Sequence, residues 1–216
     1  MDNELYLNDT KHCKAPDSLV ISNYPNRKPL IELVTFHSPV VLNPDDKTIH
    51  ALGLSPSKFL PYGYSQPNQE PQFPTIDKSP KRFYLNGHDL IIAIKDWGRV
   101  AIVPPVLSES YDSRWTIGSA CIALRLINTN IIDPRVLYTF LNSEIGRALV
   151  FENARRDLSG NISISKLKEI VIPIPSLDEQ QAIIDKFDTI VTHEHTISAI
   201  RNEQLLLAKS FWRLPI

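Results

Sequence analysis

The sequence is poor in cysteine and has no long apolar run. Two cysteines in 216 residues, with no Cys-x-x-Cys pair, exclude a disulfide-rich scaffold and a zinc knuckle. No apolar run reaches the roughly 18 residues of a membrane-spanning helix, and the acidic start Met1–Glu4 lacks the apolar core of a signal peptide. We therefore expect a cytoplasmic protein that does not enter a membrane, in which Cys13 and Cys121 are reduced.

Motifs for catalysis and cofactor binding are also missing. The seven glycines form no Gly-x-Gly-x-x-Gly loop, no Gly-Lys-Ser/Thr loop and no Gly-x-Ser-x-Gly turn. The Asn/Asp-Pro-Pro-aromatic loop that would hold a flipped adenine for methylation is absent as well. We expect no catalytic site and no cofactor, and we favour a recognition or interaction module.

Metal sites receive little support. His193 and His195 are two residues apart, which on a helix turns them about 200° from each other, so they cannot share a metal ion. Asp17 after a proline, followed by Asp45 and Lys47, fits a metal-dependent nuclease pattern superficially. The same Asn-Pro-Asp-Asp stretch is an ordinary turn sequence. We expect no metal, and a nuclease remains a minor alternative.

The net charge of −1 conceals an uneven distribution. Residues 1–77 have a net charge of −3, and residues 171–216 have a net charge of −2. Residues 78–170 carry thirteen basic and nine acidic side chains, a net charge of +4. Phosphate contacts need only a local patch of lysine and arginine, so this middle part is a candidate nucleic-acid surface, although +4 is also compatible with an ordinary surface.

The length and the apolar content of 43% predict one globular unit with an appendage. We divide the chain into an irregular N-terminal segment, residues 1–28, a recognition domain, residues 29–175, and a long helical arm, residues 176–216. The fold class that we predict is α+β, with a mixed β core, peripheral helices and one long C-terminal coiled-coil-like helix.

Local patterns support the mixed core. The apolar runs Asp89–Ile94 and Val100–Val103 flank a glycine-containing turn and predict a β-hairpin, and Ala120–Leu126 predicts a third strand. Asp133 before a proline predicts the N-cap of a helix. Residues 43–80 contain seven prolines, which favours loops and edge strands there.

The C-terminal segment predicts a very long helix. Ser176 and Glu179 form a capping-box pattern, and no glycine or proline follows before Pro215, so the helix is expected to run about 35 residues, or about 52 Å. A helix of this length cannot bury its apolar side on one small domain and needs a second helix; the alternative is a break near residues 192–196 with a fold-back. The predicted packing residues are Ile183, Phe187, Ile190, Ile197, Ile200, Leu205, Ala208 and Trp212.

Two segments have the composition of DNA-contacting loops. The hairpin turn Lys95–Arg99 combines basic and aromatic side chains, although Trp97 could instead fold back over the core. Arg155 and Arg156 precede a turn that contains Asn161, and this composition suits phosphate and sugar contacts. The DNA-binding residues that we predict are Lys78, Lys81, Arg82, Lys95, Trp97, Arg99, Arg155, Arg156 and Asn161.

Several motifs resemble those of one protein family. Leu85–Ile94 and Gly98–Val103 resemble the Gly-Asp-hydrophobic and Gly-x-x-Ala-hydrophobic strands of target recognition domains in type I restriction–modification specificity subunits. Tyr138–Ser143 is similar to part of the family's paired helices. Ile172–Gln180 looks like the Ile-Pro-hydrophobic-Pro stretch that leads, with Glu-Gln, into its long helix. The resemblance extends over about residues 29–212.

The resemblance implies a non-catalytic, sequence-specific DNA reader. Its globular part would read a half-site of double-stranded DNA for restriction, modification and defence against foreign DNA. Adenine DNA methyltransferase subunits would be its partners, a restriction/translocase subunit could join them, and the long helix would pack against a second copy or a second half of the specificity subunit.

Two departures from the family keep alternatives open. His88 is inserted into the usual Gly-Asp pair, and the chain has one recognition domain and one long helix where the family usually has two. The chain could act as a homodimer, as one half of a split subunit or as part of a fused methyltransferase–recognition polypeptide. A protein–protein adaptor that has lost DNA binding is the alternative of another class.

Overall fold

Three small β-sheets and one very long helix form the framework of the described part of the protein, for which we use a computed structural model. The description covers residues 21, 24–39, 48–60, 62–66, 72–76, 84–95, 98–105, 115–154 and 161–211. The three residues of the nuclease alternative, Asp17, Asp45 and Lys47, therefore lie outside the described residues.

The largest sheet has four antiparallel strands: β2 (Val34–His37), β5 (Leu90–Ala93), β6 (Val100–Ile102) and β8 (Cys121–Leu126). Across the sheet their order is β2-β8-β5-β6. The predicted hairpin is confirmed, since β5 pairs with β6 from Leu90 opposite Ile102 to Ile92 opposite Val100. The predicted third strand is confirmed as β8, which pairs with β5 on its other side.

The continuous apolar runs of this sheet have a simple cause, because both of its faces are covered. Leu90 and Ile92 contribute to one hydrophobic cluster, whereas Ile91 and Ala93 contribute to another. Neighbouring side chains on a strand point to opposite faces, so a sheet buried on both sides needs apolar residues at every position. All four side chains are fully buried.

The other strands form two smaller sheets. β3 (Thr48–Leu54) lies between β4 (Gln72–Ile76), to which it is antiparallel, and β7 (Trp115–Ile117), to which it is parallel. β4 contains proline and is an edge strand as expected, but β3 is central because that stretch of the proline-rich region contains no proline. β1 (Arg27–Pro29), which begins just before the predicted recognition domain, pairs with β9 (Val171–Pro173).

The described residues also form four shorter helices: α1 (Leu30–Leu33), α2 (Pro134–Asn142), α3 (Glu144–Ala154) and α4 (Ile164–Glu169). The predicted N-cap of α2 is confirmed, because the Asp133 carboxylate accepts a hydrogen bond from the Arg135 backbone N–H. Proline occupies the first helical position, where its missing N–H costs nothing. Together with the sheets, these helices confirm the α+β class.

The C-terminal helix α5 runs without interruption from Leu177 to Ser210, which is 34 residues. Its predicted capping box is present, since the Ser176 hydroxyl accepts from the Glu179 N–H and the Glu179 carboxylate accepts from the Ser176 N–H. The alternative of a break near residues 192–196 is therefore wrong. Only the first half of α5 packs on the domain, and every described side chain from residue 195 onward is exposed.

Candidate nucleic-acid interface

Gly98, which precedes β6 in the β5–β6 hairpin, occupies a position that only glycine fits. It has φ of 72°, in the left-handed region that other residues rarely adopt, and its N–H donates to the Ala93 carbonyl at 3.1 Å. A side chain at this position would collide with Val150 of α3 and with Ile162. Gly98 therefore packs directly against the helix α3 and against Ile162.

Two of the predicted DNA-binding residues meet at this end of the sheet. The Ile162 N–H donates to the Ile94 carbonyl at 2.9 Å, and the Ile94 N–H donates to the Ala120 carbonyl at 2.8 Å. Lys95 directly follows Ile94, and Asn161 directly precedes Ile162, so the backbone bond brings the two residues to one place. Lys95 is exposed and Asn161 is half-buried.

Arg99 has a structural bond in addition to its predicted role. Its guanidinium donates to the Pro56 carbonyl at 2.9 Å and so ties the short 3-10 helix Pro56–Lys58 to the hairpin. Lys58 also belongs to this helix. It is a half-buried basic residue that the sequence analysis did not predict as a DNA contact. The other predicted contacts, like the packing residue Trp212, lie outside the described residues: Lys78, Lys81, Arg82, Trp97, Arg155 and Arg156.

A buried ion pair supports the start of β5. The Asp89 carboxylate, 2% exposed, accepts from Arg125 Nε at 2.9 Å and Nη2 at 2.7 Å, and from the Asn86 N–H at 2.7 Å. The Arg125 guanidinium also donates to the Tyr84 carbonyl at 2.9 Å. The hydrogen bond to Asp89 raises the pKa of Arg125 above its ordinary value. Sequence reasoning missed this pair, because its members are distant along the chain.

The inserted His88 lies where the domain meets the long helix. Its φ of 64° is left-handed, and its ring stacks on Tyr64 with centroids 5.9 Å apart. Tyr64 in turn contacts Phe187 of α5 edge to face at 5.2 Å, and Tyr138 of α2 contacts the same ring at 5.6 Å. Burial lowers the pKa of His88 and raises the pKa of Tyr64.

Polar contacts fix the beginning of α5 to the same region. Gln180, 5% exposed, accepts from the Asp133 N–H at 3.0 Å and donates to the carbonyls of Ile131 and Pro175 at 3.0 and 3.1 Å. Burial alone would raise the pKa of Asp133, but hydrogen bonds from Arg135 hold it below the ordinary value. These bonds explain structurally why glutamine follows glutamate at the start of this helix.

A single arginine adds an ion-pair bridge from α2 to the long helix. Arg135 Nη1 lies 3.3 Å from Asp188 Oδ2, while its Nε and Nη2 donate to the carboxylate of Asp133. The hydrogen bond to Asp133 raises the pKa of Arg135 above its ordinary value. The bridge is partly solvated, so the buried Gln180 contacts contribute more to holding the helix in place.

The predicted helix-packing residues divide into two groups. Phe187 is buried and Ile183 is half-buried against the domain's own core. The others in the described part are exposed: Ile190 by 38%, Ile197 by 41%, Ile200 by 50%, Leu205 by 53%, and Ala208. That these exposed residues contact a second helix stays a prediction.

A hairpin end with Lys95 and Arg99, together with exposed apolar side chains on a projecting helix, is typical of a binding module. Among the described residues, no group of three or more His, Cys, Asp or Glu side chains could hold a metal ion. No helix in the described part is long and apolar enough to cross a membrane. The family model for the type I restriction modification DNA specificity domain matches residues 72–207, and the chain belongs to this family of DNA-recognition modules.

One solved structure has a similar fold. A chain from a study of complex assembly and conformational transition of the type I R-M system has a TM-score of 0.51 at 15% identity. The match covers 96% of this chain and 52% of that one, so the long-helix α+β fold is shared.

Two further matches are weaker. The HsdS subunit from Thermoanaerobacter tengcongensis has a TM-score of 0.48 at 15% identity, with 93% of this chain and 47% of that chain covered. The S subunit of a type I restriction-modification system from M. genitalium has a TM-score of 0.45 at 18% identity. That match covers 93% of this chain and 48% of the other. The chain thus spans about half the length of these structures. No curated protein matches it.

Proposed function

We propose that this chain is the non-catalytic reader of one DNA half-site in a type I-like restriction–modification complex. The observation that carries the proposal is membership of the DNA specificity domain family over residues 72–207. The matched region contains all nine predicted DNA-binding residues and the whole basic middle segment, residues 78–170.

The proposed DNA surface is the end of the central sheet where the hairpin turn lies. Lys95 and Asn161 lie at this end because the backbone bond between Ile94 and Ile162 brings their neighbours together, and Gly98 packs against Val150 and Ile162 there. Lysine and arginine in such a place bind phosphates and fix the orientation of the protein on the duplex, whereas amide side chains also reach base edges. We propose that Lys95 contacts a phosphate and that Asn161 contacts a sugar or a base edge.

We further propose the partners that a reader without catalysis requires. Methyltransferase subunits would supply the chemistry, and a restriction subunit would join the complex for cleavage. The exposed half of α5 would pack against a second such helix, so that two reading domains face two half-sites. We propose that this second helix comes from a second copy of this chain or from the second half of the specificity subunit.

Binding to duplex DNA at several salt concentrations tests the proposal. The affinity of a reader falls steeply as salt rises, because each bound phosphate releases counterions. We expect Lys95→Ala to reduce the slope of log affinity against log salt by about 1. Lys209→Ala, which removes the same charge from the exposed arm, is the matched control and should leave the slope unchanged.

Two results would count against the proposal at different levels. If Lys95→Ala and Lys209→Ala behave alike, the hairpin end is not the DNA surface. If the parent chain binds every duplex weakly and without a salt dependence, it is not a DNA reader.

A further inference from the structure

Among the described residues, His88 is the one non-glycine residue with a positive φ, which is 64°. Few residues with a side chain adopt this left-handed conformation, whereas glycine fits it without strain. Two hydrogen bonds hold the turn around His88: the Asn86 N–H donates to the Asp89 carboxylate, and the Asp89 N–H donates to the Asn86 carbonyl at 3.2 Å. The imidazole ring is what histidine adds over glycine at this position.

The ring of His88 is connected to the long helix through one other ring. It stacks on Tyr64 with 20° between the ring planes, and its Nε2 lies 3.3 Å from the Tyr64 hydroxyl. The same Tyr64 ring meets Phe187 of α5 edge to face, and Phe187 is only 4% exposed. His88 therefore supports the tyrosine that contacts the buried side of the arm.

Tyr64 lies on a loop that is attached to the central sheet and also touches the arm. It forms a parallel β-bridge with Ile102 of β6, and the Ser65 N–H donates to the Ile102 carbonyl at 2.9 Å. On the arm side, Gly63 lies so close to α5 that a side chain there would come within 3.7 Å of Val191. Because the backbone of the loop is held on both sides, the orientation of the Tyr64 ring depends on the rings packed against it.

Charged groups from two helices face this cluster of rings. They are Asp133 and Arg135, at the start of α2, and Asp188 of α5. Burial has the largest influence on His88 and lowers its pKa, whereas the two carboxylates raise that pKa and Arg135 lowers it. Burial raises the pKa of Tyr64. At pH 7.5 the His88 ring is therefore neutral, and Tyr64 keeps its hydroxyl proton.

We infer that His88 is a positioning residue, which holds the Tyr64 ring against Phe187 and thereby fixes the direction of the long arm relative to the recognition domain. The inference rests on the proposed function, in which a fixed arm places the domain with respect to its partners. In this role His88 touches no DNA. Protonation puts a charge on a half-buried ring, so the joint is complete above about pH 6.5 and weakens as the pH falls below that value.

Amide hydrogen exchange of the full chain measures how firmly the arm is held. Protection is expressed as the ratio of the unprotected rate to the measured rate at the same pH. His88→Asn and His88→Gly both tolerate the left-handed φ and both remove the ring. We expect either variant to lower the protection of residues 184–194 roughly fivefold or more, with a smaller change in β8. His37→Asn removes another half-buried histidine and is the matched control, with an expected change over residues 184–194 of less than about twofold.

Two outcomes of this experiment would overturn the inference. One is unchanged protection of residues 184–194 in both His88 variants, because the ring would then not hold the arm. The other is an equal loss of protection in β8, because the ring would then serve the stability of the whole domain. Since glycine and asparagine leave the turn itself unstrained, a disturbed backbone does not account for a loss that is confined to the arm.

A double-mutant cycle tests whether His88 acts through Tyr64. Tyr64→Leu removes the ring between His88 and Phe187, so it should itself lower the protection of residues 184–194. Adding His88→Asn to Tyr64→Leu should then lower that protection by less than about twofold more. If the two substitutions each have their full effect in the double variant, His88 acts by another route and the inferred chain of contacts is wrong.

The pH profile separates a titrating ring from a passive one. In the parent chain, residues 184–194 should lose roughly threefold more protection than β8 when the pH is lowered from 7.5 to 5.5. In His88→Asn this additional loss should disappear, because asparagine does not titrate. An additional loss of the same size in the variant would contradict the inference, since another group would then control the joint.

Failure of the inference and failure of the proposed function are distinguishable, because the exchange experiments involve no DNA. In duplex binding, His88→Asn should keep the salt slope of the parent chain, since the inferred role includes no phosphate contact. A slope reduced as much as by Lys95→Ala would place His88 on the DNA surface and overturn the positioning role. If the parent chain binds no DNA, the proposed function is wrong, and exchange still decides whether His88 holds the arm.

Discussion

At the scale of single residues, Asp89 shows how one buried charge organises the recognition domain. Its carboxylate is almost fully buried and is satisfied by Arg125 and by the Asn86 N–H. Arg125 holds this charge and the Tyr84 carbonyl at the same time. The pair therefore connects β8, the start of β5 and the loop before it.

We predict that Arg125→Met destabilises the domain strongly. The substitution leaves a buried carboxylate without its counter-charge, which costs on the order of 3 kcal/mol of unfolding free energy. Chemical denaturation of the parent and the variant measures the difference. Asp89→Leu combined with Arg125→Met should cost clearly less than the sum of the two single substitutions, and simple additivity would show that the pair is not coupled.

His88 gives the domain a predicted pH dependence. Burial lowers its pKa from the ordinary value of 6.5, so below that pH the unfolded chain binds more protons than the folded one. Stability should be complete above about pH 6.5 and decline as the pH falls toward the lowered pKa. We expect a lower unfolding midpoint at pH 5.5 than at pH 7.5.

The substitution His88→Asn tests whether His88 causes this pH dependence of stability. Asparagine tolerates the left-handed φ of this position and does not titrate. The difference between the two pH values should shrink in this variant without vanishing, because burial lowers the pKa of His37 in the same direction. An undiminished difference would show that His88 is not the responsible group.

At the scale of elements, the sequence predicted those strands and helices whose local signals were strong. The β5–β6 hairpin, β8, the Asp133 cap and the capping box of α5 each rest on an apolar run or a cap within one short segment. The capping box also fixes where the arm begins. These elements were all confirmed.

Elements that depend on distant partners were not predictable. β1 and β7 are three-residue strands, and their patterns are too short to distinguish them from loops. The joint of Tyr64, His88 and Phe187 unites three segments that are far apart in sequence. Of the proposed DNA site, the sequence indicated Lys95 and Asn161 separately, and the backbone bond between Ile94 and Ile162 reveals that they lie near each other.

At this scale we predict that the Gln180 side chain holds the first half of the arm against the domain. Gln180→Leu leaves the Asp133 N–H and the Ile131 and Pro175 carbonyls without this partner. We expect amide hydrogen exchange to speed up at least tenfold over residues 177–194, with little change over residues 195–211, because the distal half does not rely on docking. Gln181→Leu, at an exposed neighbouring position, is the matched control. Equal effects of the two substitutions would refute the role of Gln180.

At the scale of the whole molecule, the proposed function requires two recognition domains, because a bipartite site has two half-sites. In that proposal this chain would supply one domain on one long arm. A second copy, or the second half of the specificity subunit, would supply the other domain.

Selection of bound sequences from a random duplex pool tests the central claim most directly. The parent chain is incubated with the pool at low and at moderate salt, and the retained duplexes are sequenced. The account predicts enrichment of a short motif, repeated as an inverted copy about one helical turn away, with affinity falling as salt rises. A retained pool no different from the input at either salt concentration would contradict the claim that this chain reads DNA.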